Sequence, residues 1–460
     1  MFPNLRLFVL FALALPVAGQ LPSAATAKID AAAEKALADS GVPSVSIAVV
    51  KEGRIAYVKA YGNARLHDPA TAARPEMRYS IGSVSKQFMA GAILMLVEEG
   101  KLSLDDKVGR YLPNLTRANE VTIRQLLSHT SGYQDYYPLD YVAPFMQKPV
   151  TADEILKTWA CKPLDFDPGT RWQYSNTNYV AAGRILERVT GKPFASFMQA
   201  RIFGPLGMTS VIDLDERSLT ESDAAGYTRF GLGPARAVAP EGRGWLFAAG
   251  ELAMTARDLA LWDVSLIEHK LLTPASLDAM MDPVRLKNGA PTGYALGVGV
   301  SGADGHPMLQ HGGAVSGFVS LNTVWPDPRA AVVVFANMDG SGAPRLITNQ
   351  IAPLLLAEAE DPRAAQQLEK ARRIFSGLQE GKIDRALLNS DADAYFTPQV
   401  LQDAAASLMP LGSPESFRQT SVELRGGMTY RHFQIGFKGK SLHLSTFTTV
   451  NGKLAQYLIQ

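Results

Sequence analysis

Hydrophobic side chains crowd one stretch of the chain. Phe88-Met89-Ala90-Gly91-Ala92-Ile93-Leu94-Met95-Leu96-Val97 carries no charge and is ended by Glu98-Glu99-Gly100, which predicts a buried helix with a glycine stop. Small and apolar residues recur at helical spacing from Ala24 to Ser40, and Gly41 with Pro43 closes that segment. Ser44 to Val50 and Arg54 to Lys59 read as strands joined through Glu52-Gly53, a hairpin signal. From Ser83 to about Met281 the pattern is mostly helical, with long loops bearing glycine and proline. Strand patterns return at Gly293 to Val300, Met308 to Gln310, Phe318 to Trp325 and Ala331 to Asn337, and Arg345 to Ala359 resumes a helix. Strands at both ends with helices between them predict the α+β class. One antiparallel sheet, assembled from the two ends, is flanked by helices, and a helical lobe beside it leaves a cleft.

Ala357-Glu358-Ala359-Glu360-Asp361-Pro362 is charged and ended by proline, so a domain covering 28–360 is expected to give way there to a second one at 361–460. In the latter, Ala364 to Leu378 and Pro398 to Leu408 are helical in pattern. Four short strands follow, near Phe417–Leu424, Met428–Phe437, Ser441–Thr449 and Lys453–Ile459, with Asn451-Gly452 as a hairpin turn between the last two. This small α+β domain is loosely like the cystatin or NTF2 rolls, an analogy without functional content. Arg425-Gly426-Gly427, His432 and His443 are read as surface or sheet positions.

Charge narrows the options. With 45 basic and 44 acidic residues the formal charge is +1, leaving no electrostatic footprint for nucleic acid. At the N-terminus Arg6 precedes Leu7 to Val17 and then small residues, the order of a secretory signal too short to span a bilayer. Residues 1–27 are expected to be a signal peptide. Cleavage after Gly19 or after Ala27 satisfies the small-residue rule, giving a periplasmic or secreted protein with no membrane span. Cys161 is the only cysteine, so no disulfide, cysteine metal site or lipid-accepting cysteine is available, and the core alone must stabilise the fold.

Just ahead of the apolar helix lies Tyr79-Ser80-Ile81-Gly82-Ser83-Val84-Ser85-Lys86. Residues three apart on a helix share a face, so the Lys86 amine can lie beside the Ser83 hydroxyl and make it a usable nucleophile. Unpaired N–H groups at the helix start suit an oxyanion. Tyr174-Ser175-Asn176 sets a phenol and an amide two apart on a loop leading into a helix near Asn178. A phenol serves as a base only with a cation nearby, which Lys86 could supply. In Gln310-His311-Gly312-Gly313-Ala314, His311 ends a strand. Gly312 and Gly313 let a substrate lie against the backbone like a further strand, and the Ala314 N–H is a candidate second oxyanion donor. Each motif alone has a plain structural reading: a helix cap, a half-buried aromatic, a strand histidine. Tyr61-Gly62-Asn63, a second Tyr-x-Asn, looks like a turn.

In the order Ser-x-x-Lys, Tyr-x-Asn, His-x-Gly, the three resemble the serine hydrolases built like class C β-lactamases, a family that includes D-alanyl-D-alanine carboxypeptidases, D-aminopeptidases and esterases. Gly100 to Val108, Ile123 to Gly132, Phe203 to Met208 and Ala248 to Leu259 look like further family signatures, and the resemblance runs from about Ile29 to Leu356. It implies a β-lactamase/transpeptidase-like fold and a serine acyl hydrolase acting through an acyl-enzyme on a D-amino acid peptide, an ester or a β-lactam. Ser83, Lys86 and Tyr174 would be catalytic. Asn176, His311, Gly313 and Ala314 would bind substrate, with His311 bonded to Tyr174 or to the substrate. Either Lys86 or Tyr174 can be the base, since closely coupled groups titrate jointly. His129 is read as a turn-stabilising histidine. Class C β-lactamases usually carry lysine where His311 stands, which counts against efficient β-lactam hydrolysis here. No Gly-x-Ser-x-Gly elbow, His-Glu-x-x-His, P-loop or dinucleotide fingerprint is present. No cofactor or metal is expected, and the partner is a small-molecule or short-peptide substrate. The rival from another class is a non-catalytic penicillin-binding or sensor protein on the same fold.

Overall fold

The computed structural model describes residues 21–460 apart from 68, 140, 304–305, 357–363, 426–427 and 450–451. The apolar leader, the charged stretch from Ala357 to Pro362, Gly426-Gly427 and Asn451 of the expected hairpin turn lie outside the described residues. The chain divides into two compact units, Met1–Ala357 and Glu358–Gln460.

In the first unit β1 (Ser44–Lys51) and β2 (Arg54–Arg65) form the expected hairpin. Glu52 and Gly53 both take positive φ, 54° and 73°, as a turn matched to right-handed strand twist requires. Tyr61-Gly62-Asn63 is no turn. It continues β2, because Tyr61 and Gly62 pair with Val45 and Ser44 across the ladder. A short β3 (Thr71–Ala72) borders β2.

The late strands are β4 (Gly299–Ala303), β5 (His306–Val315), β6 (Phe318–Trp325) and β7 (Ala330–Ala336). The sheet order is β3-β2-β1-β7-β6-β5-β4, so the two ends of the unit meet at its centre, where Val45 faces Ala336 and Val50 faces Ala331. Two expectations change here. His311 lies inside β5 rather than at a strand end, since β6 pairs along the strand through Gly312 and Gly313 to Val315. The strand expected from Gly293 starts only at Gly299, because Gly293 and Gly297 take φ of 71° and 75°. A Cβ on Gly297 would stand 2.7 Å from the Lys86 carbonyl oxygen.

Both faces of the central strands are buried. Val45, Ile47, Val49, Val332 and Val334 pack on one side with α1 (Ser23–Ser40) and α5 (Ala343–Leu355), while Ala48, Val50, Val333 and Phe335 join the larger core on the other. The expected cleavage position after Ala27 falls inside α1, and that after Gly19 precedes it. The larger core contains α2 (Ser85–Glu98), the helix read from the apolar run, and α4 (Ala256–Ile267), packed through Phe88 and Trp262 with ring centroids 4.8 Å apart. Phe88, Met89, Ile93, Leu94, Met95 and Leu96 of α2 all lie in this core, each large apolar side chain removed from water contributing roughly 1.5–3 kcal/mol. The helical lobe is centred on α3 (Asn176–Thr190), which contacts α2.

The second unit has α6 (Ala364–Gln379), α7 (Pro398–Leu408) and a short helix at Ser390–Tyr395 that the pattern did not reveal. Its sheet is an antiparallel meander of β8 (Ser416–Arg425), β9 (Met428–Phe437), β10 (Lys440–Thr448) and β11 (Leu454–Ile459). Phe375, Phe433, Ile435, Leu444 and Tyr457 form its core. Among the described residues, no helix is long and apolar enough to cross a membrane.

Candidate active site

Ser83 sits in a single 3-10 turn, Gly82–Val84, that feeds directly into α2. Gly82 takes φ of 50°, and a Cβ there would come within 3.1 Å of the Ala314 nitrogen. A bare backbone therefore lets the nucleophile turn abut β5. Lys86, in the first turn of α2, is fully buried. Its Nζ bonds to Ser83 Oγ at 2.9 Å, Asn176 Oδ1 at 2.8 Å and the Ala249 carbonyl at 2.7 Å.

Tyr174 donates its hydroxyl to the same Ser83 Oγ at 2.8 Å. The residues on either side of it are held by His129, whose carbonyl accepts the Gln173 N–H at 3.0 Å and whose Nδ1 accepts the Ser175 N–H at 3.2 Å. The His129 ring lies 4.2 Å from the Tyr174 ring, centroid to centroid. Asn176 opens α3, so Tyr174 is the last loop position but one before the helix.

The electrostatics follow from burial. Burial pulls the Lys86 amine down to about 7, against the opposing charges of Asp135 and Glu251. It pushes the Tyr174 phenol up, only partly offset by the Ser83 hydrogen bond. The amine thus titrates near neutrality, while the phenol keeps its proton.

Of the two bonds expected of His311, the one to Tyr174 is not made. Its Nδ1 lies 2.6 Å from the Gly312 carbonyl, an acceptor only, so Nδ1 carries the proton and Nε2 accepts from the Tyr294 hydroxyl at 2.8 Å. Both ring nitrogens are occupied, neither by Tyr174, and burial and the nearby Lys86 lower its pKa to about 3. The expected His311–Tyr174 bond is absent, with the two ring centroids 6.3 Å apart. The histidine is a neutral strand residue tied to Tyr294.

A Cβ on Gly313 would stand 1.9 Å from the Ile81 carbonyl oxygen, so only glycine lets β5 approach the nucleophile turn. β4 pairs only with His306 to Gln310, leaving the rest of that edge open. Val315 and Phe318 close a two-residue turn as a hydrogen-bonded pair. Ala314 opposite Val319 is therefore a non-bonded position whose N–H points off the open edge. Ser83, Tyr174, Asn176, His311, Gly313 and Ala314 all line one cleft of about 1390 Å³. Exposed apolar side chains, Leu139, Tyr141 and Phe230, stand at its rim.

Three participants escaped the sequence reading. Asp135 holds Asn176, Tyr294 holds His311, and the Ala249 carbonyl is a backbone acceptor that no side-chain pattern reports. Asp135 follows the signature-like Ile123–Gly132 stretch by three residues, and that proximity was its only signal. Among the described residues, no group of three His, Cys, Asp or Glu side chains is placed to hold a metal ion.

Residues 29–356 match the family model described as beta-lactamase. The chain belongs to that family. A putative penicillin-binding protein PbpX of Bacillus subtilis is 28% identical over 311 residues, covering 67% of this chain and 74% of its own. Protein flp of Staphylococcus aureus is 29% identical over 331 residues, which span 70% of this chain but only 64% of that relative. Among solved structures, a D-stereospecific amidohydrolase from Streptomyces sp. is 29% identical with a TM-score of 0.61, covering 70% of this chain and 97% of that one. The family fold, an antiparallel sheet with flanking helices, is the one described above, here followed by the small second unit.

Proposed function

We propose that this beta-lactamase-family protein is a serine acyl hydrolase acting through a covalent acyl-enzyme, with Lys86 as the base that activates Ser83. The observation carrying this is the environment of the amine. When Lys86 is neutral, its two N–H bonds go to Asn176 Oδ1 and the Ala249 carbonyl, both pure acceptors, so its lone pair is left facing the Ser83 hydroxyl. Ser83 Oγ then attacks the substrate carbonyl carbon as its proton passes to Lys86. The Ser83 and Ala314 N–H groups receive the oxyanion. Tyr174, still protonated, gives its proton to the leaving nitrogen or oxygen as the carbonyl–heteroatom bond breaks, and Lys86 returns a proton to the phenolate. Water enters by the same relay in reverse and releases the acid. Asn176 positions Lys86, and Gly312 and Gly313 leave room for a substrate backbone along the open edge of β5.

The substrate class inferred is an amide, peptide or ester whose acyl part comes from a D-amino acid or a similar group. The supporting relative is the one named a D-stereospecific amidohydrolase. Export is part of the proposal: the leader pattern, with cleavage after Gly19 to spare α1, gives a periplasmic or secreted enzyme. The relatives named for penicillin binding keep a second reading in view, a protein that acylates and stalls.

The test is a fluorophosphonate probe followed by a panel of D-amino acid amides, p-nitrophenyl esters and nitrocefin. Labelling that vanishes in Ser83→Ala, with turnover of an amide or ester, supports the hydrolase. Labelling that persists at another residue overturns it, and a stable adduct without turnover favours the second reading.

A further inference from the structure

The Lys86 lone pair faces Ser83 only if both other partners of the amine present oxygen. The Ala249 carbonyl can present nothing else, and its peptide is fixed because the next N–H, that of Gly250, donates to the Leu246 carbonyl at 2.7 Å and to Glu251 Oε2 at 3.1 Å. Asn176 is different. A carboxamide rotated by half a turn exchanges its oxygen for an NH₂ group of nearly the same shape, which would offer Lys86 a donor and draw its lone pair away from Ser83.

One group decides between these states. Asp135 Oδ1 accepts the Asn176 backbone N–H at 2.9 Å, and Asn176 Nδ2 lies 3.2 and 3.3 Å from Asp135 Oδ1 and Oδ2. Asp135 is itself fixed by the Tyr137 N–H at 3.1 Å. With Asp135 ionised, the rotated carboxamide would set its oxygen against the carboxylate, two acceptors with no proton between them; burial raises the Asp135 pKa, opposed by its N–H donors and by the Lys86 charge.

We propose that Asp135 is a positioning residue for the reaction, holding the Asn176 carboxamide so that its oxygen faces Lys86 and the amine lone pair faces Ser83. This rests on Lys86 being the base. The charge of Asp135 also favours the ammonium form, in company with Glu251, while His129, His311, Tyr174 and Tyr179 are the other titratable groups near that amine.

The test measures the second-order rate of fluorophosphonate acylation from pH 5 to 9 in the full chain and in Asp135→Ala, Asp135→Asn and Asn176→Ala. Asp135→Ala should lower the rate about 10- to 100-fold, the scale of a misplaced catalytic group. Added to Asn176→Ala it should cost little more, because the two act through one contact. Asp135→Asn keeps an oxygen acceptor but loses the charge, so the ascending limb of its pH profile should move to lower pH. A merely structural aspartate would lower Tm and leave the Asp135→Ala rate near wild type, whatever its charge does to that limb.

An Asp135→Ala protein with wild-type Tm and a rate within about twofold of wild type overturns the proposal, as does an unshifted limb in Asp135→Asn. The second result decides alone if the alanine variant does not fold. Failure of the wild-type protein to label at Ser83 sinks the hydrolase reading itself, whereas a labelled wild type with indifferent Asp135 variants sinks only this inference.

Discussion

The floor and the rim of the cleft invert the usual arrangement of a protein. On the floor a lysine with no exposed surface is satisfied on every side by named partners. At the rim Leu139, Tyr141 and Phe230 stand 45%, 65% and 74% exposed. A charge inside costs stability and an apolar side chain outside forgoes it, so neither is placed for the sake of the fold. The floor is tightly tied through Ser83, Lys86, Asn176 and Asp135 and tolerates little change. Nothing among the described contacts locks the rim in the same way. The buried polar cluster is thus held rigid while the exposed apolar surface beside it is left free to vary.

That contrast can be broken at graded points. Lys86→Ala should cut acylation by about 10²- to 10⁴-fold, the range for losing a general base, and a smaller loss in single-turnover kinetics would move the base elsewhere. For the intact protein kcat/KM should rise with pH through about 7, where the buried amine sheds its proton. Neither His311, which titrates near 3, nor the raised Tyr174 should add a limb between roughly pH 5 and 9. Tyr174→Phe should lower kcat by about 10²-fold, more for amides than for p-nitrophenyl esters, whose leaving group needs no proton. Equal losses on both would deny Tyr174 its acid role.

Gly313→Ala should cost about 1–3 kcal/mol in denaturant melts, because the new methyl meets the Ile81 carbonyl. At the rim, Tyr141→Ser and Phe230→Ser should each change stability by no more than about 0.5 kcal/mol. They should raise KM for esters with bulky apolar acyl groups several-fold and leave acetate esters alone. A large Tm loss there would show the rim to be as constrained as the floor.

The sequence was most legible where periodicity and chemistry coincide. The apolar run from Phe88 gave α2, and three-residue spacing gave the Ser83–Lys86 contact. The apolar late runs gave β6 and β7, and in the second unit four strands fell close to their expected positions. Legibility failed where glycine or backbone decides. The apolar residues after Gly293 read as strand, yet two glycines at positive φ turn the chain, and the second, Gly297, clears the Lys86 carbonyl. His311 read as a partner for Tyr174 or for the substrate; motif order says nothing of ring orientation, and Tyr294, which claims its Nε2, lay in that misread segment. Asp135 carried no pattern at all, since a lone aspartate in a loop is indistinguishable from a solvated one until the asparagine 41 residues away lies against it.

The pairing of β1 with β7 has a consequence for how the chain is made. Until Ala336 has been synthesised, the inner edge of β1 has no neighbour, and a growing polypeptide holds two half-sheets that cannot join. Such long-range closure is slow and leaves an apolar strand edge bare meanwhile. A chain truncated before Ala330 should therefore aggregate rather than fold, and the same delay would keep a nascent chain loose enough to be threaded through a narrow channel before it sets.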